Sequence, residues 1–210
     1  MYGARERDGQ DYWVAQWRNG GATWQQPGIT KLLKQNIDVV LAGKRRAQVF
    51  LPLCGKAHEL KWFHDMGYSV VGVEFVEECV IEYFQENGLE IEETMCPVIN
   101  CKIIQTPNRQ LRVFVCSIFD FNRYGKVIKY LLAPGFSYGL YTMYYDAPWY
   151  KLNPRSTTES DLEQLFGDVG RLVLVDTYTV TYDDFINGAP VTYCLWHLRQ
   201  SHSSQRSKIN

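Results

Sequence analysis

Residues 49–74, VFLPLCGKAHELKWFHDMGYSVVGVE, constrain this chain more than any other stretch. An apolar run stops at Cys54-Gly55, a helix-patterned segment follows, and a second apolar run stops at Glu74. Two buried strands joined through a helix cannot form a tight hairpin; they pair side by side in parallel, with the helix as a right-handed crossover. Such an arrangement places a turn at the carboxyl end of one strand beside a carboxylate at the end of its neighbour. In doubly wound sheets ligands bind at those strand ends.

The flanking pattern extends this unit. DYWVAQWRNGGATWQQPG is rich in tryptophan and broken by glycine, which suits a short helix with a loop. TKLLKQNIDVVLAG has helical spacing and ends at Gly43. KAHELKWFHDMG and EECVIEYFQENG read as helices closed by Gly67 and Gly88. LRVFVCSIFD, SYGLYTMYY, RLVLVDTYTV and APVTYCLWHL read as strands, the last two as an antiparallel hairpin at the sheet's edge. The expected class is α/β, a doubly wound and mostly parallel sheet with an antiparallel C-terminal hairpin. Residues 11–200 are expected to form the domain, between disordered tails at 1–10 and 201–210.

Gly55 and Glu74 limit what the strand ends can hold. An acid about 20 residues beyond a glycine turn suits ribose hydroxyls, as in the dinucleotide fingerprint. That fingerprint needs three glycines to close backbone and helix on a pyrophosphate, and Gly55 is followed by Lys56 and Ala57. A phosphate-binding P-loop is excluded by the same residues, because neither Ser nor Thr follows Lys56. A nicotinamide-dependent oxidoreductase is therefore a distant reading. A nucleoside cofactor without phosphates fits better, and S-adenosylmethionine offers ribose hydroxyls to Glu74 and a sulfonium cation. Trp13, Trp17 and Trp24 bear on that cation, since an indole face is the best aromatic partner of a positive centre. The same tryptophans also suit plain packing of an N-terminal helix.

Composition excludes several other classes. Among 210 residues, acids and bases nearly cancel to a net charge of −1, so neither nucleic acid nor an anionic membrane is an expected partner. The start, MYGARERDGQ, carries no apolar signal segment, and no apolar run approaches the roughly 18 residues of a membrane span. A cytoplasmic protein is expected. The six cysteines include no C-x-x-C pair and the four histidines no ligand motif, so no metal is expected.

Tyr12 to about Asp120 resembles the thiopurine S-methyltransferase family, and the resemblance resumes at SYGLYTMYYDAP and ESDLEQLFG. It is carried by YWVAQWRNG, LLKQNIDVVLAGK, PLCGK followed by KWF, GYSVVGVE and CSIFDF. It implies a Rossmann-like methyltransferase sheet of seven strands and S-adenosylmethionine as cofactor. The reaction it implies is methyl transfer to the thiol of a small aromatic or heterocyclic acceptor by in-line displacement. It also implies site roles: Trp13, Trp17 and Trp24 folding over the cofactor, Leu53 at its amino-acid end beside Gly55, Glu74 on the ribose, and Ser117 with Ile118 at the adenine. Trp24 would also face the acceptor. No catalytic residue is called for, because an aromatic thiol is already partly ionised near neutral pH. Cys54 is expected as a small turn residue rather than a nucleophile, and the protein is expected to be a monomer.

One departure stands against the family's pattern. Relatives carry an Asp-Arg-Gly-Ala-Leu segment on the fourth strand, whereas CSIFDFNRYGKVIKYLLAPGFSYGLYTMYYD runs almost directly into the next strand. RYGKVIKYLLAPG reads as the remnant of the following helix. The sheet is thus expected to lack its fourth strand, leaving the neighbours to pair directly or to keep unpaired edges. Asp183 and Asp184, between the last two strands, are expected as turn residues. A catalytically impaired member that only binds ligand is the alternative reading.

Overall fold

The computed structural model describes residues 13–20, 27–98, 100–117, 136–149, 156–182 and 186–200. Both tails, Trp24, Ile118, the RYGKVIKYLLAPG segment and Asp183-Asp184 lie outside the described residues. The chain divides into two compact units, residues 1–30 with 45–123, and residues 31–44 with 124–210.

The first unit opens with α1, residues 13–18, and continues through β1 Gln48–Pro52, α4 His58–Asp65, β2 Ser69–Glu74 and α5 Glu77–Glu86. Strands β3 Glu92–Cys96, β4 Cys101–Gln105 and β5 Leu111–Val115 follow. The sheet order is β1-β2-β5-β4-β3, parallel through β1, β2 and β5. This is the parallel core that the strand–helix–strand pattern requires, and both helices end at the expected glycines, Gly67 and Gly88. Helix α4 buries Leu60 and Phe63, and α5 buries Val80, Tyr83 and Phe84. The two are tied where the Lys61 amide donates to the Tyr83 hydroxyl at 2.9 Å. At Gly72 in β2 a Cβ would lie 2.8 Å from Cys54 Sγ and 3.2 Å from both Leu60 and Val113, so the glycine lets α4 close on the sheet.

Strands β3 and β4 add to the elements expected from sequence, none of which fell between Gly88 and Leu111. They form an antiparallel hairpin that extends the sheet beyond β5. Its residues alternate in burial along EETMC, which is the pattern of a strand with one solvated face.

The second unit contains α2 Lys31–Gln35 and α3 Ile37–Leu41, then β6 Ser137–Tyr144, α6 Glu159–Phe166, β7 Gly170–Thr181 and β8 Pro190–Gln200. Its three strands are ordered β6-β8-β7 and all pairs are antiparallel, including the expected β7–β8 hairpin. Leu32 packs into a core with Tyr145, Ile186, Val191, Tyr193 and Leu195. Tyr193 stacks on both Tyr141 and Tyr178, with centroids 5.5 and 5.0 Å apart. Among the described residues, β1 and β6 each close one edge of their own sheet, so the expected single sheet is two sheets. No described helix is long and apolar enough to cross a membrane.

One polar chain runs through the second unit. Arg199 Nε donates to His197 Nδ1 at 3.0 Å, which leaves the ring hydrogen on Nε2. Nε2 lies 2.6 Å from Ser137 Oγ and donates to it, and the Ser137 hydroxyl donates in turn to the Val40 carbonyl of α3. His197 is 1% exposed, and burial, with Arg199 and Lys44, lowers its pKa below the ordinary 6.5. A buried neutral histidine contributes stability that is present above the unfolded value and lost as pH falls, because the unfolded chain takes up the proton first. The melting temperature of the chain should therefore drop by several degrees between about pH 7.5 and about pH 5.5. His197→Gln, which does not titrate there, should flatten that slope; an equal slope in both chains would contradict the assignment.

Candidate functional site

The site is built at the carboxyl ends of β1, β2 and β5. After Pro52 the chain turns at once: Leu53 adopts a left-handed backbone, φ 50°, and its side chain is 55% exposed. A leucine held at positive φ with its apolar surface facing out is strained and unsatisfied by packing, a combination that marks functional turns. The Cys54 amide donates to the Val73 carbonyl at 3.0 Å, and the Ala57 amide closes the turn on the Cys54 carbonyl at 2.8 Å.

Glu74 ends β2 with its carboxylate turned back into the protein. Oε2 accepts from the Gly55 amide at 2.9 Å, and Oε1 accepts from the amides of Phe75 and Val76 at 2.8 and 2.9 Å. One side chain, 8% exposed, thus joins the β1 turn to the β2–α5 turn. A carboxylate offers about four acceptor positions. Three are used by backbone, and the remaining one, on Oε2, suits a hydroxyl donor.

Gly55 has φ 45°, and a Cβ there would lie 2.8 Å from Trp17 Cζ2 and 3.9 Å from Glu74 Oε2. The edge of the Trp17 indole therefore rests on the turn. Trp13, one helical turn earlier, is 40% exposed. Arg18 Nη2 pairs with Glu78 of α5 at 2.5 Å and holds α1 near these strand ends. On the other side of β2, the Cys116 amide donates to the Glu74 carbonyl at 3.0 Å, and Ser117 follows, 5% exposed.

The structure brings together Trp17, Gly55 and Glu74 by direct contact, with Leu53 and Ser117 adjacent along the chain. Trp24 and Ile118, the remaining expected site residues, lie outside the described residues. The backbone amides of Phe75 and Val76 and the Arg18–Glu78 pair were not named from sequence. The acids opening α5, and a basic residue directly after Trp17, were the available signals.

Two neighbouring groups are removed from chemistry. Cys54 is buried, and burial with the nearby Glu74 charge pushes its thiol well above the ordinary range. It is the small turn residue expected and is poorly suited as a nucleophile. Lys56 is committed to α5, at 2.9 Å from Glu82 and 2.6 Å from Glu86. Burial works to lower its pKa, but the two carboxylates outweigh this and hold it raised. Among the described residues no cluster of His, Cys, Asp or Glu could hold a metal ion.

The family model of thiopurine S-methyltransferase matches residues 9–192. The chain belongs to the thiopurine S-methyltransferase family. This is a family of S-adenosylmethionine-dependent methyltransferases. The thiopurine S-methyltransferase of Bos taurus is 32% identical over 183 residues, covering 75% of this chain and 75% of the relative. The probable thiopurine S-methyltransferase of Danio rerio is 29% identical over 181 residues, covering 74% and 78%. Among solved structures, the Burkholderia thailandensis 1,6-didemethyltoxoflavin-N1-methyltransferase, with bound 1,6-didemethyltoxoflavin and S-adenosylhomocysteine, matches with a TM-score of 0.61 at 14% identity. That match covers 95% of this chain and 91% of the other. TehB from Haemophilus influenzae matches with a TM-score of 0.52 at 12% identity, covering 80% and 62%. These two likenesses concern the fold, and they agree with the family's Rossmann-like methyltransferase class.

Gly55→Ala should destabilise the chain by about 1–3 kcal/mol, because it adds a Cβ at positive φ against the Trp17 ring. Urea unfolding checks this. Pairing it with Trp17→Ala should return part of the loss, and strictly additive effects would show that the indole does not rest there.

Proposed function

We propose that the chain is an S-methyltransferase that takes its methyl group from S-adenosylmethionine and delivers it to the thiol of a small aromatic or heterocyclic acceptor. The observation that carries this reading is the Glu74 carboxylate, fixed by three backbone amides with one acceptor position left beside a glycine turn. That arrangement suits a ribose hydroxyl and offers nothing to a pyrophosphate. When bound, S-adenosylmethionine supplies an electrophilic methyl group on a sulfonium sulfur, open to in-line attack by a thiol sulfur.

The chain's own residues bind, orient and exclude water. Glu74 would hold the ribose, its carboxylate already ordered, so little rotamer entropy is lost on binding. Leu53, exposed at the β1 turn, would cover the amino-acid end, and Ser117 with Ile118 would meet the adenine. Trp13 and Trp17 would close over the cation with Trp24, which would also face the acceptor. A desolvated indole–cation contact is worth about 2 kcal/mol. Positive charge disappears along this reaction, so no oxyanion site is required, and alignment supplies most of the catalysis. No residue acts as nucleophile or general base in this reading; the buried thiol of Cys54 stays protonated. The reading keeps a monomeric, cytoplasmic protein with a small-molecule substrate and with neither nucleic acid nor membrane as partner.

Calorimetric titration with S-adenosylhomocysteine should give micromolar binding, and Glu74→Ala should weaken it about tenfold or more, a loss of roughly 1.4 kcal/mol. Methyl transfer to an aromatic thiol should follow. Absence of binding by the folded chain would end the reading, and binding without transfer to any thiol would leave only a ligand-binding protein.

A further inference from the structure

Three cysteines lie in one row across β3, β4 and β5, and the proposed function uses none of them. Cys96 and Cys101 are directly opposed across β3 and β4. The β4–β5 ladder pairs Lys102 with Val115, so its next step sets Cys101 opposite Cys116. All three carry thiols, and directly opposed residues of antiparallel strands point to the same face. The Cys116 side chain lies close enough to Cys101 to bear on its thiol.

The two opposed pairs differ in spacing. The Cys116 amide donates to the Glu74 carbonyl of β2, so its backbone groups face away from β4. Cys101 and Cys116 are therefore a non-hydrogen-bonded pair, with Cα atoms about 4.5 Å apart, whereas the hydrogen-bonded type to which Cys96 and Cys101 belong sits near 5.5 Å. A disulfide needs Cβ atoms about 3.8 Å apart, so the closer pair needs the smaller adjustment. Cys116 is partly exposed and Cys101 is 8% exposed, which gives an oxidant access to one sulfur with the second held behind it.

We propose that Cys101 and Cys116 are a reversible thiol–disulfide pair, closed by hydrogen peroxide, that weakens cofactor binding at the adjoining Ser117. The Cys116 sulfur attacks one peroxide oxygen; an S–O bond forms, the O–O bond breaks, and water leaves. The Cys101 sulfur then attacks the Cys116 sulfur; the S–S bond forms, the S–O bond breaks, and hydroxide departs with the Cys101 proton as a second water. Two thiols are oxidised and one peroxide is reduced, and a dithiol reverses the change. Burial raises the Cys101 pKa, and the neighbouring Cys116 side chain works against that rise. Closure takes the Cys101 and Cys116 Cα atoms from about 4.5 Å toward the roughly 5.5–6 Å most disulfides adopt, shifting the end of β5 and loading the Cys116–Glu74 backbone bond that sets Ser117 beside the proposed site. The effect on the cofactor rests on the function proposed above, but formation of the disulfide does not.

The test treats the reduced full chain with hydrogen peroxide, maps its peptides by mass, and titrates S-adenosylhomocysteine before and after. A linked Cys101–Cys116 peptide lacking two hydrogens, reversed by dithiothreitol, should accompany an affinity loss of about tenfold or more. Cys116→Ser and Cys101→Ala should keep their affinity through peroxide, and Cys96→Ser should still form the link. A Cys96–Cys101 link, stepwise acids on single cysteines, or a linked chain with unchanged affinity would overturn the proposal. Reduced chain that forms the link but never binds S-adenosylhomocysteine would overturn the cofactor reading and the effect assigned to Ser117, while upholding the pair.

Discussion

The Glu74 carboxylate is the interaction on which the site depends. A charged group 8% exposed would be costly without hydrogen-bond partners, and three backbone amides take three of its roughly four acceptor positions. Those amides belong to two turns from different strands. Their common partner fixes the gap between the turns, where the proposed cofactor site lies. The same residue anchors Cys116 through its carbonyl, so a single position on β2 coordinates both neighbouring strand ends.

Around this point the unit is arranged for close approach. Gly55 lets the Trp17 indole touch the turn, and Gly72 lets the Cys54 thiol of the β1 turn and Leu60 of α4 pack onto β2. Lys56, which in a phosphate-binding loop would face the ligand, is turned into α5 and held by Glu82 and Glu86. The site therefore presents an acceptor position and apolar surface with no basic group from this turn. That chemistry suits a nucleoside and a sulfonium better than a phosphate chain.

The parallel core was legible because its signals are local. Apolar runs of strand length, helical spacing between them, and glycines at Gly67 and Gly88 each constrain the backbone without reference to the rest of the chain. Glu74 was legible as the residue that ends β2, because the apolar run stops at it. The β3–β4 hairpin was not read, because its short strands carry Glu and Lys on the solvated side and lack the apolar run that marks a central strand. Nor could sequence show that Glu74 is already bonded to three amides, since the partners Phe75 and Val76 contribute backbone, not side chains.

Hydrogen–deuterium exchange of the full chain, with and without S-adenosylhomocysteine, decides whether the cofactor sits at the Glu74 junction. Amides that a bound nucleoside covers should slow in three places at once: Leu53–Ala57, Glu74–Val76 and Cys116–Ser117. The β3–β4 connection near Pro97 should not change. Protection confined to one of those segments, or appearing only elsewhere in the chain, would contradict a cofactor held at the Glu74 junction.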